Sequence, residues 1–330
     1  MRVAFVGKGG SGKTTYAALF SRYLASQHLP VLAIDADINQ HLAVALGFSE
    51  AEATQVPALG LEVNRIKDYL RGTNPRISST AAMVKTTPPG SGSRLLRLDE
   101  DNPLFSYFER HLQGVRLLAT GPFTEEDLGI KCYHSKTGAV ELLLNHLVDG
   151  AGEYVVVDMT AGADSFASGL FTKFDLTFLV AEPTSKAVSV YRQYTTYARK
   201  YDVKIGVIGN KVESVEDVAF LREQVGENLL TWLRHSAYVR AQEQGQRLPF
   251  SCLEPDNTQA FATMQAAVDA CEKDWERFSA QMGAFHHQNA VSWANASVGE
   301  DLTQQIDPQF RFDPAVMKRK PEASPSPGLV

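Results

Sequence analysis

The residues that most directly imply chemistry stand at the start of the chain, where Gly7-Lys8-Gly9-Gly10-Ser11-Gly12-Lys13-Thr14 satisfies G-x-x-x-x-G-K-[ST]. Glycines at this density let the backbone close around phosphate oxygens, so that successive N–H groups and a helix N-terminus bind them. The expected phosphate contacts are Gly9, Gly10, Ser11, Gly12, Lys13, Thr14 and Thr15, with the Lys13 ammonium reaching the β and γ phosphates. The Thr14 hydroxyl is offered to Mg²⁺, which takes oxygen ligands in a tight octahedron.

A nucleotide site of this kind also needs an acid near the metal, a group that orients the attacking water, and an element that holds the base. Asp35 and Asp37 close one β-branched run (VLAIDADIN), and Asp158 closes another (YVVVDM). They are the candidate acids, with Asp35 and Asp158 near Mg²⁺. The other reading of each is a carboxylate that caps a helix or keeps a strand end soluble. Asn210-Lys211 (VIGNKV) follows a third run and can hold a purine through the amide and the lysine's aliphatic stem; a turn asparagine is the alternative. The pair lacks the trailing x-Asp common in guanine recognition.

These residues need a scaffold that presents strand ends to one side. Short apolar runs at Arg2–Val6, Val31–Asp35, Val115–Ala119, Tyr154–Asp158, Leu176–Ala181 and Val203–Asn210 alternate with helical patterns at Thr14–Ser26, Gly138–Leu147 and Lys186–Lys200. Runs apolar nearly throughout are strands buried on both faces, and regular strand-helix alternation predicts an α/β fold, a doubly wound, mostly parallel sheet. Such sheets bind ligands at the carboxyl ends of their strands. The pattern breaks between Gly47 and Gly114, where TTPPGSGS (Thr86–Ser93) reads as turn or mobile loop. A helical pattern runs from about Ala260 to Met282, followed by a segment with His286, His287 and Trp293. The expected organisation is a P-loop domain over 1–285 with a mobile insertion at about 48–114, a C-terminal arm over 286–317, and a Pro/Ser tail over 318–330 with the composition of disorder.

Composition narrows the partners. Of 330 residues 32 are Lys or Arg and 38 Asp or Glu, a net charge of −6 that argues against broad binding to nucleic acid or to an anionic membrane. Three cysteines (Cys132, Cys252, Cys271), an odd count in a chain this long, suit a reducing compartment, and the N-terminus carries no secretory signal, so a cytoplasmic location is expected. Cys252 and Cys271 share no ligand spacing and read as core. Lys67, Arg71, Arg76, Lys85, Arg94 and Arg97 give the insertion a basic cast, read as a solvated face or a contact for an acidic partner.

With its second lysine, the loop K-G-G-S-G-K-T-T resembles the deviant Walker A signature of the MinD/ParA/nitrogenase-iron-protein class of P-loop ATPases. The resemblance implies ATP with Mg²⁺, a homodimer in which Lys8 reaches the partner's ATP, Asp37 as the residue that positions the water, Asp158 as the Walker B acid, and Ala161-Gly162 as the start of switch II. Lys8, Lys13 and Asp37 are then the catalytic set. Within the class, Cys132-Tyr133-His134 ahead of a helix, together with VVVDMTAGADSF, is similar to CooC-type nickel-insertion ATPases. His134 stands where that group has its second cysteine, and Thr160 where it has Glu. Two C-x-H segments meeting across a dimer axis would supply a Cys₂His₂ set for Zn²⁺ or Ni²⁺; a small buried Cys132 and a capping His134 are the plain alternative. The resemblance implies a slow ATP-hydrolysing dimeric switch, either a maturation ATPase acting on a protein client, a partitioning or positioning ATPase of the ParA/MinD kind, or a nucleotide-sensing scaffold with little turnover.

Overall fold

The computed structural model describes residues 1–37, 39–122, 133–162, 166 and 168–312. In chain order the strands are β1 (Arg2–Gly7), β2 (Val31–Asp35), β3 (Leu96–Arg97), β4 (Arg110–Leu112), β5 (Val115–Ala119), β6 (Leu147–Val148), β7 (Tyr154–Asp158), β8 (Leu176–Ala181), β9 (Ile205–Val212) and β10 (Leu229–Arg234). Eight form one sheet in the order β10-β9-β8-β1-β7-β2-β5-β4, parallel except for the β4 edge, and β3 pairs with β6 apart from it. The strands anticipated from their apolar runs are all present, and the doubly wound, mostly parallel sheet is the observed architecture. β4 and β10 are additional. β4 has only three residues, and β10 (LLTWLR) is half-exposed along much of its length, so neither carries the continuous apolar run of a doubly buried strand.

Helices cover both faces: α1 (Lys13–Ser26), α2 (Leu42–Leu46), α3 (Glu50–Ala53), α4 (Val63–Arg71), α5 (Pro103–Phe108), α6 (Tyr133–His146), α7 (Ser185–Arg199), α8 (Val215–Val225), α9 (Ala237–Glu243), α10 (Pro255–Asp269), α11 (Trp275–Asn289) and α12 (Asn295–Val298). The period-two alternation of the strands divides the core. Ala4 and Val6 of β1 and Val155 and Val157 of β7 face a core shared with α4, α6 and α7. Val3, Phe5 and Val156 face the other, shared with α1 and α10, where Phe5, Phe20 and Phe178 pack ring to ring.

The segment between α2 and β5 carries α3, α4, α5, β3 and β4, and its TTPPGSGS stretch has no regular element. Thr86 to Gly90 are nevertheless buried. Thr86 Oγ1 lies 3.2 Å from His286 Nδ1, and Thr87 Oγ1 donates to Gln305 Oε1 at 3.0 Å. Arg76 donates to the Gln304 carbonyl, so insertion and C-terminal segment form one packed unit on the α6 face. No helix among the described residues is long and apolar enough to cross a membrane.

Candidate functional site

β1 delivers the glycine-rich loop to the carboxyl edge of the sheet, flanked by β7 and β8. The loop closes on itself through Ser11 N–H donating to the Lys8 carbonyl at 3.0 Å. Gly12 has φ +95°, and a Cβ there would stand 2.4 Å from Asn210 Nδ2, so the left-handed backbone and the close neighbour both demand glycine. α1 then starts with no side-chain cap and no acid in its first turn. Its first amides and the positive end of its dipole are left for an anion from outside the helix.

Charge converges just beyond that helix start. Lys13 Nζ lies 2.8 Å from Asp37 Oδ2, 3.6 Å from Asp158 Oδ1 and 3.5 Å from Thr14 Oγ1. Burial works against the Lys13 charge, but Asp158 and Asp37 outweigh it and raise its pKa above the usual value. Asp158 is fully buried, and among the described residues only the Thr14 hydroxyl and the Lys13 ammonium act on its carboxylate as donors. Burial pushes its pKa up to about 6, even though the Lys13 ammonium and the adjacent Thr14 hydroxyl oppose the shift. Asp35 lies beside it with its pKa well above the carboxylate range, raised by burial and by Asp158. Three carboxylates around one ammonium leave a buried surplus of negative charge, and under-coordinated hard oxygens at Thr14 and Asp158 fit Mg²⁺. Among the described residues no three His, Cys, Asp or Glu side chains converge as a metal cage, the usual situation for a Mg²⁺ held mainly by water and phosphate.

The two aspartates of IDADIN differ in what they hold. Asp35 Oδ1 accepts from Asp37 N at 3.1 Å and Asp35 Oδ2 from Leu42 N at 2.9 Å, so its carboxylate spans the loop between β2 and α2. Asp37 has one oxygen on Lys13 and the other fixed by Asn39, through its backbone N–H at 3.1 Å and its Nδ2 at 2.8 Å.

Asn210 and Lys211 also come to the loop. Asn210 Nδ2 donates to the Ser11 carbonyl at 2.6 Å, while its Oδ1 accepts from Lys211 N at 2.8 Å. The amide therefore grips the phosphate loop itself. Lys211 Nζ pairs with Glu182 at 2.6 Å, stretching its stem across the end of β8. The surrounding cleft has a volume of about 920 Å³ and is lined by Gly9, Gly10, Gly12, Lys13, Thr14, Thr15, Asp37 and Ala161 among others. Lys8 precedes the lining Gly9 and is half-exposed, and its side chain makes no hydrogen bond or ion pair among the described residues.

Cys132 lies outside the described residues, and His134 falls in the first turn of α6. Cys252, expected in the core, is exposed in a short turn after Pro249, and Cys271 is half-buried with its Sγ on the Ala267 carbonyl. His286 is buried between Thr86 and the Leu302 carbonyl, whereas His287 is exposed. The basic residues of the insertion are largely engaged: Arg71 donates to the Ile77 carbonyl, Arg94 stacks over Tyr69 and Arg97 pairs with Glu100.

Three supporting residues have no motif of their own. Tyr16 donates to the Gly209 carbonyl at 2.8 Å and lies 3.3 Å from Asn210 Oδ1, Asn39 fixes Asp37, and Glu182 holds Lys211. Tyr16 follows Lys13 by one helical turn, which would have placed it near the loop, but nothing in the local pattern names its partner.

Residues 3–248 match the model of the CobQ/CobB/MinD/ParA nucleotide binding domain. The carbon monoxide dehydrogenase accessory protein CooC of Rhodospirillum rubrum is 28% identical over 271 residues, 82% of this chain and 97% of CooC. An uncharacterised ATP-binding protein of Methanocaldococcus jannaschii is 28% identical over 230 residues, 69% and 81% of the respective chains. Among solved structures, the septum site-determining protein MinD of Pyrococcus horikoshii with Mg-ADP superposes with a TM-score of 0.53 at 18% identity, covering 82% of this chain and 95% of MinD. An ATP complex of a Cyanothece McdA variant gives 0.52 at 18% identity, covering 83% and 98%. With the family model spanning the phosphate loop, the aspartate strand ends and the Asn210 turn, the chain belongs to the CobQ/CobB/MinD/ParA nucleotide-binding family.

Proposed function

We propose that the protein is a Mg²⁺-dependent, ATP-hydrolysing homodimeric switch that serves a metalloenzyme as an accessory ATPase. The observation that carries the nucleotide part is the Lys13 ammonium, held 2.8 Å from Asp37 and 3.6 Å from Asp158 at an uncapped helix start. A triphosphate in the cleft competes with Asp37 for Lys13. Once Lys13 turns to the β and γ phosphates, Asp37 Oδ2 is free to orient a water, and Asn39 keeps the carboxylate aimed through Oδ1. Mg²⁺ held by Thr14 and Asp158 supplies charge neutralisation for phosphoryl transfer. Asp35, whose oxygens already hold the Asp37 and Leu42 amides, steadies that loop rather than binding the ion directly. Lys8 would complete the site of the facing protomer, and Asn210 and Lys211 form the side against which the adenine rests.

The accessory role rests on the likeness to CooC along nearly its whole length. Cys132 and His134, paired across the dimer, are the proposed interfacial Zn²⁺ or Ni²⁺ ligands. Steady-state ATP turnover and light-scattering mass with a non-hydrolysable ATP analogue test this reading. Lys13→Ala should abolish nucleotide binding, and Asp37→Ala should retain ATP as a closed dimer while turnover falls, on the order of a hundredfold. Normal turnover in Asp37→Ala would assign the water to another residue. Metal analysis of the dimer peak completes the test: unchanged metal content in Cys132→Ser removes the interfacial site.

A further inference from the structure

A second cavity, of about 520 Å³, opens on the α6 face between the segment that follows Asp158, α7 and the end of α11. Phe171, Tyr201 and Phe285 form a triangle of rings with centroids 5.0 to 6.0 Å apart. Phe166 and Tyr197, 5.2 Å apart, extend the aromatic wall, and Tyr197 remains 44% exposed. Lys85, from the insertion, is the one charged side chain among the described residues that line it. The floor is Gly169, and a Cβ there would stand 2.4 Å from Glu141 Oε1, so the buried Glu141 carboxylate lies directly beneath.

Among the described residues the charge around that floor does not balance. Lys85 and the buried Lys173 both act on Glu141, two cations against one carboxylate. Neither comes within ion-pair distance of it, and among the described residues the Gly169 backbone N–H is the one donor that acts on the Glu141 carboxylate. Burial pushes Lys173 down to about 8, with Glu141 only partly restoring it. Lys85 itself is half-buried, and among the described residues its ammonium makes no hydrogen bond or ion pair. A pocket of small-molecule size, walled by rings and with a lysine as the one charged side chain among its described lining residues, has the make-up of a ligand site with a fixed polarity.

We propose that this pocket binds a small aromatic anion, a planar ring system bearing a carboxylate or sulfonate, with the ring against Tyr197, Tyr201 and Phe285 and the anionic group on Lys85. The site is separate from the nucleotide cleft: the two share no lining residue among those described.

The full-length protein is titrated with 8-anilinonaphthalene-1-sulfonate and followed by fluorescence, with 1-naphthoate and the neutral 1-naphthalenemethanol as competitors. The expected result is saturable binding of one dye per chain that persists with a saturating ATP analogue. Naphthoate should displace the dye and the neutral alcohol should be about tenfold weaker. Lys85→Met and Tyr197→Ala should each weaken the dye by about tenfold, while Lys13→Ala leaves it unchanged. Both pocket variants sit at partly exposed positions, and an unchanged unfolding temperature together with unchanged fluorescent-ATP affinity shows that they fold. Displacement by the ATP analogue, absence of saturable binding, or equal affinity in the parent and both pocket variants overturns the proposal. Fluorescent-ATP binding reports on the nucleotide site independently, so failure here is distinguishable from failure of the ATPase reading.

Discussion

Two buried clusters of charge sit at opposite ends of the central strands, and they are balanced in opposite ways. At the amino end of β1, Asp149 takes the Met1 α-amino group at 2.7 Å, Arg2 Nε at 2.6 Å and Lys273 Nζ at 2.6 Å, while Asp175 accepts from Arg2 N and pairs with Lys273 at 2.9 Å. Burial alone would raise the Asp149 pKa, but Lys273, Arg2 and the α-amino group hold it far below the carboxylate range. At the carboxyl end, Asp35, Asp37 and Asp158 share one Lys13, and Asp158 is pushed the other way. The first cluster gives both of its carboxylates a cation from within the chain and ties β1 to the start of α11, with Arg2 also stacked on Trp275 and Phe278. The second has one ammonium for three carboxylates, and among the described residues the Asp158 oxygens are its least satisfied acceptors. Buried polar groups cost free energy when left unpaired, so a cluster kept in deficit at the ligand-binding edge is a site built for a cation and a phosphate rather than for stability.

The sharpest way to break this contrast is to remove one member from each cluster. Asp149→Ala strands an α-amino group, a guanidinium and an ammonium together, and should cost about 3–5 kcal/mol of folding stability in denaturant unfolding. Asp158→Asn removes one of three crowded carboxylates and should leave the nucleotide-free protein as stable as the parent or more so, by on the order of 1 kcal/mol, while stripping its response to Mg²⁺. Equal losses from the two substitutions would mean that both clusters are structural.

A smaller effect separates the glycines within the loop. Gly12→Ala meets both a left-handed backbone and the Asn210 amide, whereas Gly9→Ala meets nothing within 4 Å. Gly12→Ala should therefore cost about 1–2 kcal/mol of stability, and Gly9→Ala a few tenths at most. Asn210→Ala in the Gly12→Ala background should recover part of the loss, since it removes the clashing group. Failure of that rescue would place the whole cost in the backbone.

Much of the nucleotide end was legible in the sequence because each of its residues lies within two positions of the end of an apolar strand or belongs to the loop itself. Lys13, Thr14, Asp35, Asp37, Asp158 and Asn210 do converge, and a parallel sheet brings strand ends together whatever lies between them. What the pattern could not show is the pairing. Asn210 gripping Ser11, and Asp35 bridging to Leu42, depend on where loops from different βα units meet, which no local period encodes. The amino-end cluster left no signature either, because Met1, Arg2, Asp149, Asp175 and Lys273 are far apart in sequence and individually unremarkable. The insertion misleads for a related reason. Thr86-Thr87-Pro88-Pro89-Gly90 has turn chemistry, yet its burial is secured by Gln305 and His286, about two hundred residues away.

The subtlest difference between the clusters is in their response to pH. Asp158 has a folded pKa of about 6 against 3.8 for the free carboxyl. Between those values the unfolded chain has lost the proton and the folded chain keeps it. Stability from this group is therefore greatest on the acid side and declines as pH rises from about 4 to about 6. Asp149, with its folded pKa depressed, contributes stability above the unfolded value that disappears as pH falls below about 4. The nucleotide-free protein should accordingly lose stability as pH rises from about 4 to about 6, and Asp158→Asn should flatten that slope. Mg²⁺ with nucleotide should invert it, because the ion binds the ionised carboxylate and the free energy it adds grows as the proton leaves. Unfolding temperatures measured across this range, with and without Mg-ADP, check both halves. If parent and Asp158→Asn share the same pH slope in the absence of ligand, the carboxyl-end cluster is not in deficit and the contrast with Asp149 fails.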